Sequence, residues 1–174
     1  ISTRSFKREI YLGHSEAVTL VEVDSNNGNF YTLGLDRKLV AWNYASDKNV
    51  IGTINAHDED INDISFSPDH TKMVSVGMDL KVKLWDAKTK ELIGNPGEGG
   101  NYSINSVVFH PTGDYYYTGG GDNKIRVWDG HSSELLNTVT AGPDDVNWIY
   151  MLVASPDGSK LISCHYDGSI IFWK

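Results

Sequence analysis

The chain is short of the residues that disulfide scaffolds, membrane spans and nucleic-acid binders depend on. Its 174 residues include one cysteine, Cys164, so no internal disulfide can form. That fits a reducing compartment, and the expected location is the cytoplasm, with the nucleus second. No apolar run approaches the ~20 residues of a membrane helix, and no signal-peptide pattern stands at the start, so no membrane contact is expected. Basic residues are outnumbered, 15 against 23 acidic ones, and they form no cluster. A net charge of −8 disfavours nucleic acid, where neutralising phosphate is the main affinity term, and suits a basic protein surface better. A starting methionine is absent too. The chain opens on Ile1 and reads as an excerpt or a processed product.

What the chain does have is a repeat. Four tryptophans, Trp42, Trp85, Trp128 and Trp173, end four β-like runs. Six residues before each stands an aspartate, Asp36, Asp79, Asp122 or Asp167. Four residues before each aspartate stands a hydroxyl, Thr32, Ser75, Thr118 or Ser163. Eighteen residues before each aspartate stands a branched aliphatic, Val18, Ile61, Ile104 or Ile149. The aspartates recur every 43, 43 and 45 residues, the period of a blade of four strands. Within each unit, runs rich in Val, Ile, Tyr, Phe and Thr are broken by Pro, Asp, Asn and Gly. The second unit is clearest, with strands expected at 61–66, 72–76, 81–86 and 91–93. Ile61, Ile64 and Phe66 are spaced three then two, which implies a bulge that re-aims the first strand.

These residues resemble the WD-repeat family over essentially the whole chain. The pattern from Gly-His to Trp-Asp appears in Gly13-His14, Trp85-Asp86 and Trp128-Asp129. The resemblance implies an all-β propeller of four blades, each of four antiparallel strands, as part of a larger ring or half of a dimeric eight-bladed one. Residues 1–13 are then the outer strand of a preceding or closing blade, and the blades span 14–55, 56–95, 96–139 and 140–174. It also implies a buried hydrogen-bonded tetrad of His, Ser/Thr, Asp and Trp. That tetrad is complete as His14, Thr32, Asp36 and Trp42 in the first blade, and as His57, Ser75, Asp79 and Trp85 in the second. The third blade keeps Thr118, Asp122 and Trp128 but has Gly100 at the histidine position. The fourth keeps Ser163, Asp167 and Trp173 with no histidine near 142–145. There the carboxylates are expected to turn to backbone amides or water, and the upper loops to be held less firmly. Residues 6–12 read as an outer strand able to complete the last blade. Three closures follow in order of expectation: a longer propeller, a pair of copies, and a compact four-bladed ring.

Catalytic readings are weak. Equal one-per-blade spacing makes the aspartates radiate instead of converging as an acid–base pair. The histidines at 14, 57, 70, 110, 131 and 165 show no ligand spacing, so no metal is expected. Cys164 and His165 are neighbours on one strand and leave opposite faces, against a nucleophilic pair. Gly119, Gly120 and Gly121 lack the following helix and Lys-Ser/Thr of a phosphate loop, and are read as a tight turn. No cofactor and no enzyme activity are expected.

The working surface is sought in loops. Family contact positions flank the aliphatic that opens each first strand and precede the tetrad aspartate. They fall on Ala17, Thr19 and Leu35; on Asp60, Asn62 and Met78; on Ser103, Asn105 and Gly121; and on Trp148, Tyr150 and Tyr166. The loop before Ile149 is two residues longer than its equivalents. Glu16, Asp58, Glu59, Asp60, Asp144 and Asp145 are expected on the same side. The reading is a protein-binding scaffold whose partner offers a basic segment beside an apolar anchor. An assembly or dimerisation unit, pairing with a second copy or the rest of its own propeller, is the alternative. An enzyme with a site over a central channel comes last.

Overall fold

The computed structural model describes residues 12–24, 26–44, 50–142 and 147–174. Strand-forming runs and turn residues divide these into fifteen strands, with no helix among the described residues. The first sheet is β1 (Val18–Asp24), β2 (Asn29–Gly34), β3 (Lys38–Asn43) and β4 (Val50–Asn55). The second is β5 (Ile61–Phe66), β6 (Lys72–Gly77), β7 (Lys81–Asp86) and β8 (Leu92–Glu98). The third is β9 (Ile104–Phe109), β10 (Tyr115–Gly120), β11 (Lys124–Asp129) and β12 (Leu135–Thr140). The fourth holds β13 (Ile149–Ala154), β14 (Leu161–His165) and β15 (Ile170–Trp173). Every sheet is an antiparallel meander in chain order. The ladder slips just after Val18, Ile61, Ile104 and Ile149, so all four first strands carry the bulge near their start.

The sheets stack face to face because their middle strands are apolar on both sides. Tyr31, Leu33, Leu39 and Ala41 of the first sheet meet Ile61, Ile64, Met73 and Trp85 of the second. Val74, Val76, Val82 and Leu84 then meet Ile104, Val107, Phe109, Tyr116 and Trp128. Ile125 of the third meets Ile149, Leu152 and Leu161 of the fourth. Each such side chain, removed fully from water, contributes about 2 kcal/mol before chain entropy is set against it.

Polar bonds cross the same seams. Asp63 Oδ2 accepts the Val107 amide and the Ser106 hydroxyl, both at 2.9 Å. Ser65 Oγ accepts the Phe109 amide, and Ser106 Oγ accepts the Leu152 amide. β9 and β13 are edge strands with amides that no ladder pairs, and the preceding sheet supplies acceptors for them.

The fourth sheet has three strands among the described residues. The 6–12 segment read as its completing strand lies, except for Leu12, outside them. The compact four-bladed ring, placed last among the closures, is not what forms. Val18, Val21 and Val23 on the first sheet are at least half exposed, as are Met151, Ile170 and Phe172 on the fourth, so the stack is an open arc. β8 meanwhile runs to Glu98, past the boundary at 95. As an edge strand it tolerates an irregularity: its ladder to β7 slips between Val82 and Leu84 and pairs again at Gly97 and Glu98.

Candidate binding face

Each aspartate sits in the turn between the second and third strands of its sheet. The residue after it takes a left-handed conformation, at Arg37, Leu80, Asn123 and Gly168. In the second sheet His57 Nδ1 lies 2.8 Å from Asp79 Oδ1, and His57 Nε2 lies 2.7 Å from Ser75 Oγ. Trp85 Nε1 donates to the same hydroxyl at 2.9 Å. Burial pushes the His57 pKa down, so the imidazole is neutral at pH 7. Its one proton then goes to the carboxylate on Nδ1, and Nε2 accepts from Ser75. Burial alone would raise the Asp79 carboxyl, but the His57 bond and the amides of Asp58 and Lys81 together carry it below its ordinary value. The first sheet repeats this with His14, Asp36, Thr32 and Trp42 at 2.7 to 2.8 Å. These groups lock a turn.

The third and fourth sheets use substitutes that the spacing does not reveal. In the third, the Arg126 guanidinium takes Asp122 Oδ2 at 2.5 Å, and Trp128 Nε1 still donates to Thr118. A side chain at Gly100 would collide with both members of that ion pair, so the missing histidine is the space the guanidinium fills. In the fourth, His165 comes from β14 itself, with Nε2 2.8 Å from Ser163 Oγ, while Trp173 Nε1 donates to the same oxygen. Asn147 spans the turn, donating to Asp167 Oδ2 and accepting the Asp167 amide. The carboxylates therefore rely on side chains, not only on amides or water. One signal for Arg126 is available in the sequence: it stands four residues after its aspartate, as Lys83 does in the second sheet.

The other candidates are structural. Gly119 and Gly120 belong to β10 and not to a turn; Cβ atoms there would strike Ile149 and the Ser103 carbonyl. His70 pairs with Asp24 at 2.8 Å, His110 contacts Thr112 and the Gly158 carbonyl, and His131 meets Lys72. Tyr116 is buried, with its hydroxyl 2.5 Å from Ser133 Oγ.

One backbone bond recurs in all four sheets. The residue before each aspartate donates to the residue before each opening aliphatic: Leu35 to Ala17, Met78 to Asp60, Gly121 to Ser103, and Tyr166 to Trp148, at 2.9 to 3.0 Å. The contact positions thus meet pairwise at one end of each sheet. Leu35, Met78, Trp148, Tyr150 and Tyr166 are exposed there. Asn62 and Asn105 are half-buried, and each donates its amide to the next sheet, to the Ile104 and Ile149 carbonyls at 2.8 Å. They clamp seams. Glu16, Asp36 and Asp60 line a cleft of about 450 Å³ with Leu35, Arg37 and Lys38. Glu59 pairs with Arg37 at 3.3 Å, and Asp144 and Asp145 lie outside the described residues.

The family model described as WD domain, G-beta repeat matches residues 48–86, 90–129 and 130–174. No curated protein matches the chain.

Proposed function

The chain belongs to the WD-repeat family, and from that premise we propose that it is a non-catalytic scaffold that binds a partner protein through the loop end of its sheets. WD repeats generally mediate protein–protein interaction. The observation that carries the reading is a division of labour. The histidines, aspartates and hydroxyls are used in holding turns, whereas the exposed aromatics, Met78 and unpaired acids sit on the loops those turns hold. Aromatic and Met side chains are the types enriched where interfaces gain most of their energy.

The partner that fits is a protein with a basic segment beside an apolar anchor, encountered in the cytoplasm or nucleus. Electrostatics supports the basic half. Arg37, Lys83 and Arg126 already pair with Glu59, Asp79 and Asp122, and Lys81 pairs with Glu98. Glu16, Asp58, Asp60 and Asp167 have no ion-pair partner among the described residues, so the loop end has negative charge to offer. Affinity capture with the chain, followed by mass spectrometry, tests this. The captured proteins should be lost from Trp148→Ala and weakened by Asp60→Lys. Retention of the same proteins by both variants would move the site elsewhere.

A further inference from the structure

We propose that the aromatic cluster of the fourth sheet, Trp148, Tyr150 and Tyr166, is a stacking site for an arginine side chain of the partner, with Asp167 as its counter-charge. This rests on the loop-end reading above and replaces the apolar anchor at that position with a cation. The Trp148 and Tyr166 rings stand 5.8 Å apart, tilted by 46°. Tyr150 and Tyr166 stand 6.3 Å apart, tilted by 43°. Trp148, Tyr150 and Tyr166 are 44%, 51% and 66% exposed, so the rings offer open faces instead of walling a pit that would enclose an aliphatic side chain. A planar guanidinium gains most from such a surface, because it stacks on a ring face while its N–H fork stays free for an acceptor.

That acceptor stands next in the chain. Asn147 and Trp148 lie alongside Tyr166 and Asp167, tied by the Tyr166 amide to the Trp148 carbonyl at 2.9 Å. Asn147 grips Asp167 twice, at 3.2 Å each, and the Ser169 amide donates to Oδ1 at 2.8 Å. These bonds position the carboxylate but use two of its roughly four acceptor sites. No basic side chain pairs with it among the described residues, and the nearest sheet's arginine, Arg126, is committed to Asp122. The cluster therefore combines three exposed rings with an unneutralised carboxylate on the residue that follows Tyr166. A lysine would satisfy the charge but not the stacking. A neutral side chain would satisfy neither in full.

Three peptides of sequence acetyl-Gly-Gly-X-Gly-Gly-amide test this, with X as arginine, lysine or citrulline, titrated into the 174-residue chain while the Trp148 indole N–H is followed by NMR. Arginine should shift that signal with an affinity at least threefold above lysine and citrulline. Tyr166→Leu and Asp167→Asn should each weaken arginine binding by roughly threefold to tenfold, and Tyr166→Phe should leave it intact. The indole signals of Trp85 and Trp128, bonded to Ser75 and Thr118, show whether each variant is folded. If Tyr166→Leu loses them, Asp167→Asn and the citrulline arm still decide. Equal shifts for arginine and citrulline, or no shift at Trp148, would overturn the proposal. A captured partner that needs Asp60 but ignores Tyr166→Leu would overturn it while leaving the loop-end reading in place.

Discussion

The second and third sheets place the same tryptophan, hydroxyl and aspartate in the same register, yet they close the turn with different donors. In the second, the neutral His57 joins Asp79 to Ser75, and Lys83 stands 3.9 Å from the carboxylate with its ammonium bonded to the Ala56 carbonyl. In the third, the position of His57 is Gly100, at φ 118°, and Arg126 at the register of Lys83 reaches the carboxylate directly. The turn needs a donor against its carboxylate, and an imidazole is one way to supply it, beside the guanidinium of the third sheet and the Asn147 amide of the fourth. The imidazole also ties the loop to the strand hydroxyl; in the third sheet that hydroxyl takes the Trp128 indole without an imidazole beside it.

Breaking each lock should therefore cost different amounts. Arg126→Met leaves Asp122 nearly buried and facing no cation, a loss of about 3 kcal/mol. His57→Leu leaves Asp79 with the Asp58 and Lys81 amides and with Lys83, a loss of about 1–2 kcal/mol. Urea midpoints of the two variants check the order. Equal losses would mean that the carboxylates are satisfied from elsewhere.

A smaller effect sharpens the contrast between turn and seam within one sheet. At the turn, the folded His57 pKa lies below its ordinary 6.5, so its contribution is full above that value and is lost as pH falls through the folded pKa. At the seam, burial holds the Asp63 carboxyl above its ordinary value despite the Val107, Ser106 and Ile64 bonds. Its contribution is present below the ordinary value of 3.8 and is lost as pH rises through the folded pKa. Asp63→Asn removes that titration. The stability of the variant relative to wild type should thus climb as pH rises from 4 towards neutrality, read by urea unfolding. A constant difference across that range would show that Asp63 does not titrate there.

The architecture is legible in the sequence because a strict register repeats in both strand pattern and turn chemistry. Val18, Ile61, Ile104 and Ile149 announce the bulged strands, and each Asp-to-Trp interval spans one turn and one strand. The substitutes are not legible from a His-to-Asp spacing: Asn147 and His165 reach the tetrad from other positions, and Arg126 shows only in its register with Lys83, four residues after the aspartate. Asn62 and Asn105 fall at contact positions because they flank the loops. Their partners are carbonyls of the next sheet, a relation between repeats that spacing within one repeat does not show. Gly119 and Gly120 look like a turn because glycine so often supplies one. Here it is the close approach of Ile149 and Ser103 that leaves no room for a Cβ, and the left-handed residue of the turn is Asn123.

The idea beneath all of this is that the carboxylate of each turn aspartate holds the loops of its sheet in place for binding. Native-state hydrogen exchange in Asp79→Ala tests it most directly. Protection should fall about tenfold or more at the amides of Asp58 and Lys81, which Asp79 accepts, and at Met78, which bonds Asp60 across the same turn, with Val74 and Ser75 in β6 unchanged. Unchanged protection at Asp58, Met78 and Lys81 would contradict it.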